Sequence, residues 1–130
     1  AIELHICSPG GSVFAALSAV DAIKKSKSEV HTYIEGSAAS AATLVSIVGK
    51  KRFMSKNAFA LIHQPQLAWS GKHDEFLNEI DNQKKIYGRI LDVYVQHSTM
   101  TAKALTKLMT NELWKDADDL LKMGFIDEIA

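Results

Sequence analysis

Val30-His31-Thr32-Tyr33-Ile34-Glu35-Gly36-Ser37-Ala38-Ala39-Ser40-Ala41-Ala42 is the stretch whose reading decides the fold. In its first half Val30, Thr32 and Ile34 alternate with His31 and Tyr33, the period of a half-buried strand. Its second half, Gly36 to Ala42, is a run of tiny residues that lets the backbone bend sharply and approach its neighbours closely. A serine at such a strand-to-helix junction presents its hydroxyl where helix N-terminal amides are free, and Ser40 is the candidate. The plainer reading is that Ser37 or Ser40 only caps the helix that follows.

Upstream, Ile2, Leu4 and Ile6 alternate with Glu3 and His5 as a first strand. Gly10 and Gly11 mark a tight loop whose bare amides can face a ligand, and Ser12 is placed to cap a helix. Val13, Phe14, Leu17, Val20 and Ile23 form that helix's apolar stripe, which dissolves into Lys24-Lys25-Ser26-Lys27-Ser28. Residues 1–34 thus read as a βαβ unit with a right-handed crossover between parallel strands. The chain opens in mid-strand without a methionine, so further N-terminal structure is expected to be missing from it.

Downstream, Ala38 to Val48 is apolar on nearly every face and reads as a buried helix, with Gly49 as its stop. Short strands follow around Phe53-Met54 and from Phe59 to Ile62, and the second delivers His63-Gln64-Pro65 at its end. Residues 66–72 read as an exposed loop. A long helix then runs from His73 to His97 with the stripe Phe76, Ile80, Ile86/Tyr87, Ile90 and Tyr94. At about 35 Å it exceeds what so small a domain can cover, so it is expected to project into a partner. Thr101 caps a shorter helix carrying Leu105, Leu108 and Met109. Asp116 to Asp119 opens a last one closed by Gly124, and Phe125 to Ile129 reads as a strand or its stub.

Composition bounds the function. With 130 residues, 47% of them hydrophobic and 23% charged, the chain suits one globular domain. Fifteen Lys+Arg balance fifteen Asp+Glu, which argues against nucleic acid as a partner, and no apolar run reaches the length of a membrane span. A single cysteine, Cys7, and the absence of an apolar leader point to a reducing, cytoplasmic setting. His5, His31, His73 and His97 have no metal-ligand spacing, and the Gly10-Gly11 loop lacks the lysine of a phosphate loop. No metal or cofactor is expected.

The polar residues that break this α/β pattern fall at element ends, where parallel sheets build their sites. A serine nucleophile needs a histidine base, a third group to orient the imidazole, and two amides aimed at the developing oxyanion. Ser40, His63, a carboxylate such as Glu112, and the amides of Gly11 and Ala41 would meet that list. Each also has a plain reading: a strand-end histidine, a surface acid, a simple glycine turn.

Ser8-Pro9-Gly10-Gly11-Ser12-Val13, Gly36-Ser37-Ala38-Ala39-Ser40 and Ile62-His63-Gln64-Pro65, in that order, resemble the proteolytic subunit of the Clp protease family. The resemblance covers nearly the whole chain. It implies a Clp/crotonase-like α/β fold of repeated βαβ (ββα) units as a single domain over residues 1–130, with a protruding handle helix at about 66–97. It also implies a serine endopeptidase with Ser40 as nucleophile, His63 as base and the Gly11 and Ala41 amides as oxyanion hole. The third position, usually aspartate in the family, falls on Glu112, with Asn111 and Asp116 as neighbouring alternatives. The Glu-X-Trp form is similar to phage and prophage members, for which capsid or scaffold proteins would be substrates. Implied partners are a polypeptide substrate, further copies in homo-oligomeric rings and an AAA+ unfoldase. The segment that precedes the first strand in the family and forms its axial loops is not in this chain. A catalytically silent ring subunit, or an acyl-CoA enzyme on the related crotonase fold, are the competing readings.

Overall fold

A computed structural model describes residues 1–66 and 68–130. In chain order the elements are β1 (Ile2–Ser8), α1 (Val13–Lys25), β2 (Val30–Ala39), α2 (Ala41–Ser46), β3 (Lys51–Met54), β4 (Phe59–Leu61), α3 (His73–His97), α4 (Ala102–Met109), α5 (Ala117–Lys122) and β5 (Glu128–Ile129). The sheet runs β1-β2-β3-β5, with β4 also paired to β2, and every pair of named strands is parallel. This is the mixed α/β architecture with a parallel sheet and one long helix that the sequence implied.

β2 is the axis. It pairs with β1 from Val30 onward, with β3 through His31 to Ile34, and with β4 through Ser37 to Ala39. Val30, Thr32 and Ile34 turn to the helix-covered face and are buried, whereas Glu35 on the other face is exposed. On that open face His5, Tyr33 and Phe53 stack, with ring centroids 4.8 and 4.6 Å apart. The core lies between the sheet and the helices: Ile34, Leu44, Ile47, Met54, Tyr94 and Phe125 are all nearly inaccessible. Burying aliphatic and aromatic side chains of this size is worth about 1.5–3 kcal/mol each.

The reading of Gly36 to Val48 needs correction. The tiny residues Gly36 to Ala39 are strand, not turn, and the helix expected from Ala38 to Val48 spans only Ala41–Ser46. The alanines that favour a helix locally are claimed by pairing with Ala60 and Leu61, where their small side chains let β2 and β4 pack under the core. Ser37 is accordingly a strand residue and not a helix cap. The C-terminal strand is the stub of the two alternatives: Phe125 and Ile126 are buried, and Glu128 and Ile129 pair with β3.

The helix boundaries follow local chemistry. Ser12 accepts a hydrogen bond from the Ala15 amide at 3.2 Å, Thr101 one from Ala104 at 3.1 Å, and Asp116 one from Asp119 at 2.9 Å. In α3 the first six residues are exposed, Phe76 and Leu77 among them, and burial is reached only at Ile90, Val93 and Tyr94. The loop expected at 66–72 includes Leu67, which lies outside the described residues; its other members are exposed and form no helix or strand. No helix is long and apolar enough to cross a membrane among the described residues.

Arg52 fastens the C-terminal segment to β3. Its guanidinium donates to both Asp127 carboxylate oxygens, at 3.1 and 2.7 Å, and also to the His97 carbonyl at the end of α3. The guanidinium holds the Asp127 carboxyl below its ordinary value of 3.8. A depressed carboxylate stabilises the fold above its unfolded pKa and loses that contribution as pH falls through the folded value. Asp127 is about half exposed, so screening reduces the pair to about 1 kcal/mol. Asp127→Asn is therefore expected to lower Tm by about 4 °C at pH 7. The difference from the parent should close progressively below about pH 4, as thermal melts across pH would show.

Candidate active site

Ser40 is the single residue between β2 and α2, and its backbone is strained, with φ 57 and ψ −124. Among the described residues it is the one non-glycine residue with positive φ. Such a conformation costs about 1–3 kcal/mol and persists only where the surroundings enforce it. Ser40 stands at the N-cap position of α2, yet its side chain makes no capping hydrogen bond. The capping reading is thus set aside for this serine, and its hydroxyl is not spent on the helix.

The enforcing contacts come from three sides. The Ser40 amide donates to the Leu61 carbonyl at 2.8 Å, which extends the β2–β4 ladder by one rung. The Ser40 carbonyl accepts from both the Thr43 amide, at 3.0 Å, and the Thr43 hydroxyl, at 2.6 Å. Gly10, at φ 97, presses on the turn so closely that a β-carbon there would lie 2.7 Å from the Ala39 carbonyl oxygen and 2.9 Å from Ser40 Cβ. Only glycine fits. A β-carbon on Gly11, by contrast, would meet open space. The amide of Ala41, first residue of α2, has no partner within its own helix.

His63 and Glu112 reach this turn through register. The parallel pairing of Ala39 with Leu61 carries forward to set Ser40 beside Ile62, one residue before His63. On the other flank, Ala60 and Lys115 form an antiparallel bridge, exchanging hydrogen bonds of 2.8 and 2.7 Å. Counting three residues outward from an antiparallel bridge in opposite directions brings His63 opposite Glu112. The Gln64 amide, bonded to the Met109 carbonyl at 3.0 Å, secures the same flank. Glu112 Oε1 lies 3.7 Å from His63 Nδ1, within ion-pair reach and beyond hydrogen-bond length. His63 is mostly buried with 14% of its side chain exposed, whereas Glu112 is 68% exposed.

The neighbouring acids and amides are engaged elsewhere. Asp116 caps α5, and the Asn111 side chain donates to the Lys107 carbonyl at 3.3 Å. The residues that sequence reasoning passed over are Thr43 and Tyr94. The Tyr94 hydroxyl is buried and lies 2.6 Å from Thr43 Oγ1, so that α3 is joined to the Ser40 turn through two hydroxyls. Burial pushes the Tyr94 pKa up to about 12, against the opposing pull of the Thr43 hydrogen bond. The one visible signal was a hydroxyl-bearing residue in an apolar stripe.

Chemically, the arrangement sets a hydroxyl on a forced turn, an imidazole two residues past the end of the adjacent strand, and a carboxylate within ion-pair reach of that imidazole's Nδ1. The Gly10 amide of the glycine loop donates to the Ser8 hydroxyl at 3.1 Å, while the first amides of α2 have no partner within that helix. Residues 1–130 match the family profile described as Clp protease. A protein of Streptococcus mutans named ATP-dependent Clp protease proteolytic subunit is 39% identical, the alignment covering 98% of this chain and 67% of that protein. Proteins of the same name from Streptococcus pyogenes and Streptococcus equi are 35% identical over the same shares. With a match along its full length and relatives of this identity, the chain belongs to the Clp protease family of serine endopeptidases.

Proposed function

We propose that Ser40 is the nucleophile, His63 the general base and Glu112 the group that orients His63, in a peptidase working through an acyl-enzyme. Ser40 Oγ attacks the peptide carbonyl carbon while its proton passes to His63 Nε2. The tetrahedral oxyanion takes hydrogen bonds from the Gly11 and Ala41 amides. Collapse breaks the C–N bond, and His63 returns the proton to the leaving amine. Water, deprotonated by His63, then attacks the ester, and the acid departs as Ser40 regains its proton. Glu112 beside Nδ1 favours the tautomer that leaves Nε2 free to accept. The observation that carries this reading is the forced turn at Ser40, with its hydroxyl free of the helix and His63 two residues past the end of the paired strand.

Polypeptide is the substrate class, and the protein works as a homo-oligomeric ring with an AAA+ unfoldase as partner, in a cytoplasmic setting. Supporting the assembly is the handle at about 66–97, whose helix α3 leaves Phe76 and Leu77 exposed at its projecting end. These residues meet a second ring.

A fluorophosphonate probe tests the nucleophile. It should label the parent at Ser40, and Ser40→Ala should abolish labelling. His63→Ala should lower turnover by about 10⁶-fold and Glu112→Gln by no more than about 10⁴-fold, as orienting groups do. An assembled parent that does not label would favour the silent-subunit reading. Gly10→Ala should cost about 100-fold in labelling rate with the circular dichroism spectrum unchanged, because displacing reacting groups by an ångström costs that much. Parent-like labelling would mean that the loop does not bear on the turn. Phe76→Glu with Leu77→Glu should convert double rings to single rings in analytical ultracentrifugation; an unchanged sedimentation profile would remove α3 from the interface.

A further inference from the structure

We propose that Tyr94 and Thr43 are positioning residues of the peptidase: their hydroxyls, joined in series, hold the Ser40 carbonyl and thereby the strained backbone that aims the Ser40 hydroxyl. The inference rests on Ser40 being the nucleophile.

Proton counting fixes the direction of the chain. A threonine hydroxyl has one hydrogen, and at 2.6 Å from the Ser40 carbonyl oxygen, which can only accept, Thr43 must donate it there. Tyr94, 2.6 Å from the same Thr43 oxygen, must therefore be the donor in that contact. It has to keep its proton to do so, and a phenol raised well above its ordinary value does. Each donation polarises the next bond, so the Ser40 carbonyl is gripped more firmly than a lone threonine would grip it.

The grip acts where it matters. The peptide plane whose oxygen is held follows Ser40, so fixing it fixes ψ at −124. That plane also contains the Ala41 amide, one of the two proposed oxyanion donors. Loosening the carbonyl would let the backbone relax toward an ordinary conformation, swinging both the hydroxyl and the amide. Neither Tyr94 nor Thr43 lies on the exposed surface, and Tyr94 is anchored by Phe125 at a ring-centroid distance of 5.3 Å. Neither is therefore assigned a contact with substrate: their effect should fall on turnover and not on binding.

The experiment measures fluorophosphonate labelling rate, kcat and KM on a fluorogenic peptide for assembled parent, Tyr94→Phe, Thr43→Val, Thr43→Ser and the double variant Tyr94→Phe with Thr43→Val. Tyr94→Phe should lower kcat and labelling rate about tenfold with KM within about twofold, the value of one internal hydrogen bond read as a barrier. Thr43→Val should lower them at least as much, and the double variant no further than Thr43→Val alone, because the two hydroxyls act in series. Thr43→Ser, which keeps the hydroxyl and with it both hydrogen bonds, should stay within about twofold of the parent, well short of the loss of one hydrogen bond. Should Thr43→Val fail to fold, Tyr94→Phe and Thr43→Ser decide by the same criteria. Labelling at the parent rate in Tyr94→Phe, with only Tm lowered, overturns the positioning role and leaves the nucleophile intact. Thr43→Ser as slow as Tyr94→Phe overturns it too, since packing and not the hydroxyl would then matter. A parent that does not label, or a Ser40→Ala variant that labels as the parent does, brings down the Ser40 reading and this one with it.

Discussion

The structure around the site depends on one residue being held in a conformation that it would not choose. Ser40 links a ten-residue strand to a six-residue helix with no intervening loop, and a positive φ is what allows the chain to reverse within that single residue. An unfolded chain rarely visits such a backbone state, at a cost of about 1–3 kcal/mol. The neighbours bear this jointly: the Leu61 carbonyl holds the amide, Thr43 holds the carbonyl, and Gly10 leaves room for the turn by having no side chain. The same geometry leaves the hydroxyl out of the capping of α2, which is why the strain has a use.

Register converts that local constraint into a site. β4 is only three residues long, but it is paired on both flanks, parallel to β2 and bridged antiparallel to Lys115. A slip of one residue on either flank would carry His63 out of line with Ser40 or with Glu112, since side chains alternate faces along a strand. Ala60, fully buried and bonded through both backbone groups to Lys115, pins both ladders at once. The acid is held less tightly than the base. Glu112 lies in a segment without regular structure and is largely exposed, while His63 is mostly buried two residues past the end of the paired strand.

Most of the architecture was legible because its signals are local. The alternation of Ile2, Leu4 and Ile6, the Ser12 and Thr101 caps, the acidic start at Asp116 to Asp119 and the unbroken pattern from His73 to His97 each correspond to an observed element. The Gly36 to Ala42 run misled because small residues report only that space is short. Whether Ala38 and Ala39 become helix or strand is decided by Ala60 and Leu61, over twenty residues away. The candidate site was legible as residue types at element ends, with the resemblance of three short motifs ordering them. The meeting of His63 with Glu112 was expected only through that resemblance, because it follows from a bridge at Lys115 that no local pattern announces. Tyr94 was read as an apolar stripe residue, correctly for its ring and incompletely for its hydroxyl.

The polar residues buried near the site follow from the shortness of α2. A helix of six residues cannot pair its own last four carbonyls, and one that is buried cannot leave them to water. The Ile47 amide and the Ser46 hydroxyl satisfy the Thr43 carbonyl, and the Thr32 hydroxyl, reaching across from β2, satisfies that of Ser46 at 2.6 Å. Thr43 does the same for Ser40 just before the helix. Among the described residues no buried side-chain polar atom is left without a partner. Apolar replacements at Thr32, Thr43 or Ser46 would fill the same space but leave hydrogen-bonding groups of the backbone or a neighbouring hydroxyl less well satisfied, at a cost of about 1–3 kcal/mol for each group left unpaired. The turn that frees the Ser40 hydroxyl, by ending β2 and starting a minimal helix, therefore also requires the hydroxyls beneath it. Tyr94 completes the set from α3, the helix that runs from an exposed end into the core.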